Sequence, residues 1–168
     1  MRHFTWGIRL LAVAVGLAAS TGAGAERRSA EDASLDIVVR APSGKAIDLQ
    51  THRWKHRVLV AFAASEDDKA LQAFQKSWIG RAAEVADRGL LLITVLKNGA
   101  SAVDGMVLAP GEAAKIRRSL QVSAEATQFL LFGKDGTEKL RASELELDYL
   151  FGLIDAMPMR QREMRERN

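Results

Sequence analysis

The chain has 168 residues, 48% hydrophobic and 27% charged, which is typical of one globular domain with short appendages and argues against wholesale disorder. It contains no cysteine, which excludes disulfides, thiolate nucleophiles, cysteine-ligated metal centres and lipid anchors on cysteine. The formal net charge of +3 is too small to indicate a general attraction to nucleic acid.

Residues 1–25 are typical of a cleavable secretory signal peptide, with a basic start, an apolar run at 10–19 and the small-residue cleavage site Ala23-Gly24-Ala25. Because a membrane-spanning helix needs about 20 apolar residues, this run is too short for a transmembrane anchor. We therefore expect an exported protein, periplasmic or secreted, with no transmembrane span after cleavage near Ala25. Removal of two basic residues with the leader leaves 22 basic against 21 acidic residues.

The first half of the remaining chain predicts a flexible segment, a hairpin, and a strand–helix–strand unit. Residues 26–34 are polar and predicted to be flexible, and a turn at 42–45 separates two short strand candidates. The apolar runs 58–63 and 90–96 are typical of strands buried on both faces of a sheet. Apolar residues recur at spacings of three and four between these runs, which predicts a helix that ends at Gly89.

The second half predicts a helix, a strand pair and a last helix. Pro110 favours a helix start, and the Asp135-Gly136 dipeptide favours a tight turn between two antiparallel strands. The predicted elements are a loop at 97–109, a helix at 110–120, strands at 129–132 and up to 141, and a helix at 147–154. The order after the hairpin is β-α-β-α-β-β-α, which predicts an α/β protein with a central mixed sheet.

Two stretches resemble a known family: RWKHRVLV at 53–60 and IDAMPMRQREMR at 154–165 are similar to domain-of-unknown-function family 4174. The similarity covers about residues 48–166. The strand at 58–63, with the loop after it, and the stretch FLLFGKDG also resemble parts of thioredoxins. The resemblance implies a thioredoxin-like domain over 35–156, with a short N-terminal β-hairpin before it.

The chain departs from thioredoxins where their redox chemistry occurs. The two redox cysteines would fall near Asp67 and Ala70, and the cis-proline at Ala126. Without a thiol, thiol-disulfide oxidoreductase and peroxiredoxin activities are excluded. A cis bond before a non-proline residue costs about 2.5–4 kcal/mol, so we expect a trans bond there. The candidate edge of this degenerate active site is Ser65, Glu66, Asp67, Asp68, Ala126 and Thr127.

The acidic residues 66–68 allow two interpretations. Carboxylates could form a cation site or an acid–base pair. Alternatively, Ser65 caps the helix and the acids complement its dipole, which we favour because three consecutive helical residues cannot all face one ion.

Other residues with chemical potential have simpler structural interpretations. The spacing of His52 and His56 would suit zinc on a helix, but their basic neighbours and the strand that follows favour a surface loop. Trp54 is predicted to pack against the sheet. Arg117 and Arg118 are predicted to lie on a solvated helix face.

Residues 157–168 form a basic, methionine-containing tail. Its arginines are candidates for docking an acidic envelope protein or an anionic headgroup, because guanidinium binds carboxylate and phosphate with two prongs. They are Arg160, Arg162, Arg165 and Arg167. The alternative is a frayed helix end whose cations suit the negative end of the dipole.

No nucleophile elbow, P-loop, dinucleotide fingerprint or metalloprotease motif is present. We therefore expect a non-redox binding or adaptor module of the cell envelope, with no cofactor, no metal and no catalytic residue. Animal matrix proteins with related domains are linked to adhesion, so the resemblance also implies a binding role. The alternatives are an enzyme that uses the carboxylates at 66–68, with or without a metal, and a purely structural envelope or matrix component.

Overall fold

The computed structural model describes residues 34–167. The predicted leader, and the predicted flexible segment up to residue 33, lie outside the described residues. The elements are β1 (Val38–Arg40), β2 (Ala46–Asp48), a 3-10 helix (Leu49–His52), β3 (Arg57–Ala63), α1 (Lys69–Gly80), α2 (Ala82–Asp87), β4 (Leu90–Leu96), β5 (Ala102–Val103), β6 (Met106–Val107), α3 (Glu112–Ser119), β7 (Gln128–Phe132), β8 (Glu138–Ala142), α4 (Leu147–Asp155) and α5 (Pro158–Arg167). Along this part of the chain, no helix is both long enough and apolar enough to cross a bilayer.

The central sheet has the strand order β6-β5-β4-β3-β7-β8. Strand β3 pairs in parallel with β4 and antiparallel with β7, and β8 continues the antiparallel half. All seven residues of β3 are buried, as its continuous apolar sequence predicts for the middle of a sheet. Strands β1 and β2 form a separate antiparallel hairpin, so the predicted mixed sheet and N-terminal hairpin are both confirmed.

Side chains on the two faces of the sheet form two apolar clusters. Val60 and Phe62 point into the cluster that Ile116 of α3 covers, together with the N-terminal hairpin. Leu59 and Ala61 point into the cluster covered by α1 and α4. The alternation follows from the period of two along a strand, and it places helices on both faces.

The helix predicted to end at Gly89 is divided into two helices, and its predicted N-cap is wrong. The cap of α1 is Asp68 rather than Ser65: its backbone is extended, and its Oδ1 accepts a hydrogen bond of 2.9 Å from the Leu71 N–H. The division falls at Arg81, whose φ of −123° and ψ of 33° interrupt the helical path.

Trp54 does not pack in the core as expected. Its backbone lies in the left-handed region with φ of 66°, and its N–H donates to the Lys134 carbonyl oxygen at 2.6 Å. In this turn the indole is 61% exposed, with the Arg53 guanidinium 5.6 Å from the ring centroid.

His52 and His56 lie in and just after the 3-10 helix rather than in an irregular loop. The His56 N–H donates to the His52 carbonyl oxygen, and this turn brings the two Nδ1 atoms to 3.4 Å. Burial, followed by repulsion from His56, lowers the pKa of His52.

Candidate functional site

The segments that would carry a thioredoxin redox site meet at the carboxyl end of β3. Phe62 is paired with Gln128 in the antiparallel register of β3 and β7. The loop that leaves β3 therefore lies beside the loop that enters β7. We call residues 64–68 together with 126–127 the carboxyl edge. Every peptide bond described between 34 and 167 is trans, including the bond before Ala126.

Asp68 and Thr127 join the two halves of the carboxyl edge. The Thr127 hydroxyl donates to Asp68 Oδ2 at 2.6 Å, while Oδ1 of the same carboxylate caps α1. These hydrogen bonds, first from Thr127 and then from the Leu71 N–H, lower the pKa of Asp68. The carboxylate is therefore ionised at neutral pH, and each of its oxygens accepts a hydrogen bond within the chain.

The other predicted residues of the carboxyl edge have different environments. Glu66 and Asp67 are exposed, whereas Ser65 is half-buried and its carbonyl accepts from the Asp68 N–H at 3.3 Å. Ala126 packs against the core cluster that contains Ile116. The acidic run is thus divided: Asp68 points inward, whereas the carboxylates of Glu66 and Asp67 face solvent. This agrees with the argument that three consecutive side chains cannot all face one ion.

Arg117 lies beneath the carboxyl edge, which corrects the prediction that it lies on a solvated helix face. Its side chain is buried, and its Nη2 donates to the carbonyl oxygens of Ala63 at 2.6 Å and Val95 at 3.2 Å. Its Nη1 donates to the backbone carbonyl oxygen of Ser123 at 2.6 Å. The guanidinium carbon lies 5.2 Å from the Phe62 ring centroid.

Arg117 therefore links the ends of β3 and β4 to the loop before β7. Burial lowers the pKa of its guanidinium, and the side chain forms no ion pair within residues 34–167. A local signal for its burial exists: Arg117 lies four residues after Ala113 and three before Leu120, on the apolar stripe of α3. The adjacent Arg118 is exposed, and two consecutive arginines together suggest a solvated helix face.

Ion pairs dominate the opposite end of the sheet. Arg57, the first residue of β3, is 1% exposed, and its two Nη atoms donate to the two carboxylate oxygens of Glu163 at 3.2 and 3.1 Å. Lys134 pairs with the same carboxylate at 2.8 Å. These contacts join α5 to β3 and to the β7–β8 turn. Burial opposes ionisation of Glu163, but hydrogen bonds from Lys134 and then Arg57 together outweigh it, so the pKa of this carboxyl group is lowered.

The arginines predicted to form a docking tail differ in accessibility. Arg160 is 2% exposed and pairs with Asp87 and Asp155, while Arg167 is exposed and also pairs with Asp87. Arg162 and Arg165 are exposed and form no ion pair within the described chain. The segment predicted as a tail is thus a helix over Pro158–Arg167 that is attached to the domain through Arg160 and Glu163.

The strand order, the helices on both faces and the trans, cysteine-free edge define a thioredoxin-like domain without the residues of thiol redox chemistry. The family model described as "Domain of unknown function (DUF4174)" matches residues 48–163, and the chain belongs to this family. The matched region contains both partners of the Arg57–Glu163 pair, one in each of the two stretches that carry the sequence resemblance.

Several known proteins are similar to this chain. The coiled-coil domain-containing protein 80 of Danio rerio is 26% identical over 136 residues, which cover 69% of this chain and 15% of that protein. The chain thus spans a small part of this curated relative.

The similar solved structures indicate the fold. The bacterioferritin comigratory protein of Xanthomonas campestris has a TM-score of 0.56 at 12% identity, covering 74% of this chain and 93% of its own. The thioredoxin domain of a thiol-disulfide oxidoreductase from Bacteroides vulgatus has a TM-score of 0.53 at 15% identity, covering 73% and 94%. Alkyl peroxide reduction is the activity ascribed to the first protein and thiol-disulfide oxidoreduction to the second, whereas this chain has no cysteine.

Proposed function

We propose that the protein is an exported, non-redox binding module of the cell envelope, and that the carboxyl edge forms its binding surface. The hydrogen bond between Thr127 and Asp68 is the observation that carries this proposal. It joins the two loops that would frame a thiol site. The groups that meet there are a carboxylate and a hydroxyl, and neither is a thiol. Export rests on the sequence of residues 1–25.

The state of Asp68 favours binding over acid–base catalysis. A general acid or base works best with a pKa near the operating pH, which for a carboxyl group requires a raised value. Hydrogen bonds from Thr127 and Leu71 move the pKa of Asp68 in the other direction. The enzyme alternative would therefore rest on Glu66 and Asp67, which face solvent.

The position of Arg117 also favours a preformed surface. Its donors hold the ends of two strands and one loop in fixed relative positions. A surface that is rigid before association loses less conformational entropy when it binds. The exposed Glu66 and Asp67 would then be presented to a partner on a stable base.

The tail remains the competing surface for this function. Two of its four arginines, Arg160 and Arg167, already contact carboxylates of the chain itself. Docking through α5 would rest on Arg162 and Arg165. Truncation at residue 156 would not test this cleanly, because it would also leave Arg57 without Glu163. Substitutions separate the two surfaces without removing the helix.

The test is affinity capture from envelope extract with residues 26–168, followed by Kd measurements on the purified partner. We expect the double variant Glu66→Gln/Asp67→Asn to weaken binding about tenfold, equivalent to 1.4 kcal/mol. The matched variant Arg162→Gln/Arg165→Gln should bind like the parent. A reversed pattern would assign docking to α5, and steady turnover of any substrate by the purified protein would overturn the proposal.

A further inference from the structure

A cavity of about 310 Å³ lies at the opposite end of the sheet from the carboxyl edge, between the β7–β8 turn and the start of α5. Three cationic side chains and one acidic side chain line it: Arg57, Lys134, Lys139 and Asp135. Met157, Pro158 and Met159 form its apolar wall. The volume is at the lower end of the range of small-ligand sites, about 300–1,000 Å³.

This end of the molecule has an excess of positive charge. In the ion pairs formed within residues 34–167, the three cationic groups that line the cavity contact two carboxylates. Arg57 and Lys134 share Glu163, and Lys139 pairs with Asp135. Removing a cation from water costs free energy unless an anion lies close to it. An additional anion would therefore be stabilised here.

Glu163 indicates which anion fits. Both oxygens of its carboxylate accept from Arg57, and one of them also lies 2.8 Å from Lys134 Nζ. The planar fork of Arg57 therefore already has the geometry for a carboxylate. Lys139 lies further along the cavity wall, where it pairs with Asp135 at 2.7 Å.

We propose that this cavity binds a small carboxylate with a short apolar chain. The carboxylate would lie against Lys134 and Lys139, beside the Arg57–Glu163 pair, and the chain against Met157 and Met159. The site is independent of the proposed carboxyl-edge function, because the two lie at opposite ends of β3. The bound anion would share its cations with Glu163.

The experiment is a titration of residues 26–168 with hexanoate at low ionic strength, followed by ¹H–¹⁵N NMR. Hexanol and hexylammonium serve as neutral and cationic probes of equal chain length. We expect saturable hexanoate shifts at 133–139 and 157–159, and no saturable shifts with the other two probes. Shifts scattered over the surface, or equal binding of hexanol, would overturn the proposal.

Variants make the test specific for charge. We expect Lys139→Gln to weaken hexanoate binding about tenfold, because it removes a cation from the cavity wall. Lys97→Gln is the matched control: it also breaks one lysine–carboxylate pair, with Glu125, but far from the cavity. Equal affinity in the parent and Lys139→Gln, with both spectra folded, would overturn the site.

Discussion

The two ends of the central sheet are organised by different interactions. At the carboxyl edge, Arg117 donates to backbone carbonyl oxygens, and Asp68 accepts from a hydroxyl and a helix N–H. At the amino end of β3, charged side chains pair directly, as Arg57 does with Glu163. Backbone-directed hydrogen bonds hold loops in place, whereas side-chain ion pairs attach a whole helix.

The two ends of the sheet also differ in what the sequence resemblance assigns to them. The stretches that carry the family resemblance meet at the amino end, where they attach α5 through Glu163 to Arg57 and through Arg160 to Asp155. The positions that the sequence resemblance assigns to a redox site lie at the carboxyl edge. The specific sequence signature therefore corresponds to a structural connection, whereas the proposed partner-binding surface lies at the other end of the sheet.

The largest expected effect is at Arg117. Arg117→Met removes the donors to four backbone carbonyl oxygens, and we expect the free energy of unfolding to fall by about 3 kcal/mol. Urea denaturation measures this loss. The matched control is Arg118→Met on the exposed side of the same helix, which should change stability by less than about 0.5 kcal/mol. Equal losses in the two variants would contradict the role of Arg117 beneath the edge.

The next effect is at the amino end. Glu163→Gln leaves the buried Arg57 without a carboxylate, and we expect a loss of about 2 kcal/mol, below the value for a fully buried pair because Glu163 is partly exposed. Thermal and urea unfolding would measure it. Glu166→Gln, on the exposed face of α5, provides the comparison. If the two glutamates behave alike, ion pairing does not attach α5.

A smaller effect is expected where the two halves of the carboxyl edge join. Asp68→Ala removes a helix cap and the acceptor for Thr127, at a cost of about 1–2 kcal/mol. Asp67→Ala is the exposed control. In a double-mutant cycle with Thr127→Val, the coupling energy should be about 1 kcal/mol. A coupling near zero would show that the hydrogen bond does not stabilise the edge.

The smallest effect is a pH dependence at the amino end. Hydrogen bonds from Arg167 and then Arg160 lower the pKa of Asp87 from 3.8 to about 2. Because the folded-state pKa is the lower one, this contribution is complete above pH 3.8 and disappears as the pH falls towards 2. Carboxyl NMR titration checks the value directly, and Asp87→Asn should flatten the stability profile in that interval. A pKa near 3.8 would contradict the pairing.

The sequence predicts the strands of the sheet better than it predicts which charged side chains are buried. The apolar runs at 58–63 and 90–96 correctly indicated buried parallel strands, because strands buried on both faces need no alternation. Asp68 and Thr127, two residues of the predicted degenerate edge, are joined by a hydrogen bond in the structure. The burial of Arg57 and Arg160 depends on partners far away in sequence, 106 residues in the case of Arg57 and Glu163. No local periodicity predicts such contacts.

Two local departures have identifiable causes. Trp54 is exposed because its left-handed backbone and its hydrogen bond to Lys134 turn the residue away from the sheet. Asp68 replaces Ser65 as the cap because α1 begins four residues after the serine. Composition and spacing do not encode backbone conformation at single residues, so neither was predictable.

The most direct test of the central claim is NMR mapping of the captured partner on ¹⁵N-labelled residues 26–168. If the carboxyl edge is the binding surface, amide shifts will concentrate at 64–68 and 126–127, and with Glu66→Gln/Asp67→Asn they will need about tenfold more partner to saturate. Shifts confined to 158–167, with those at the edge unchanged, would contradict the account and place binding on α5.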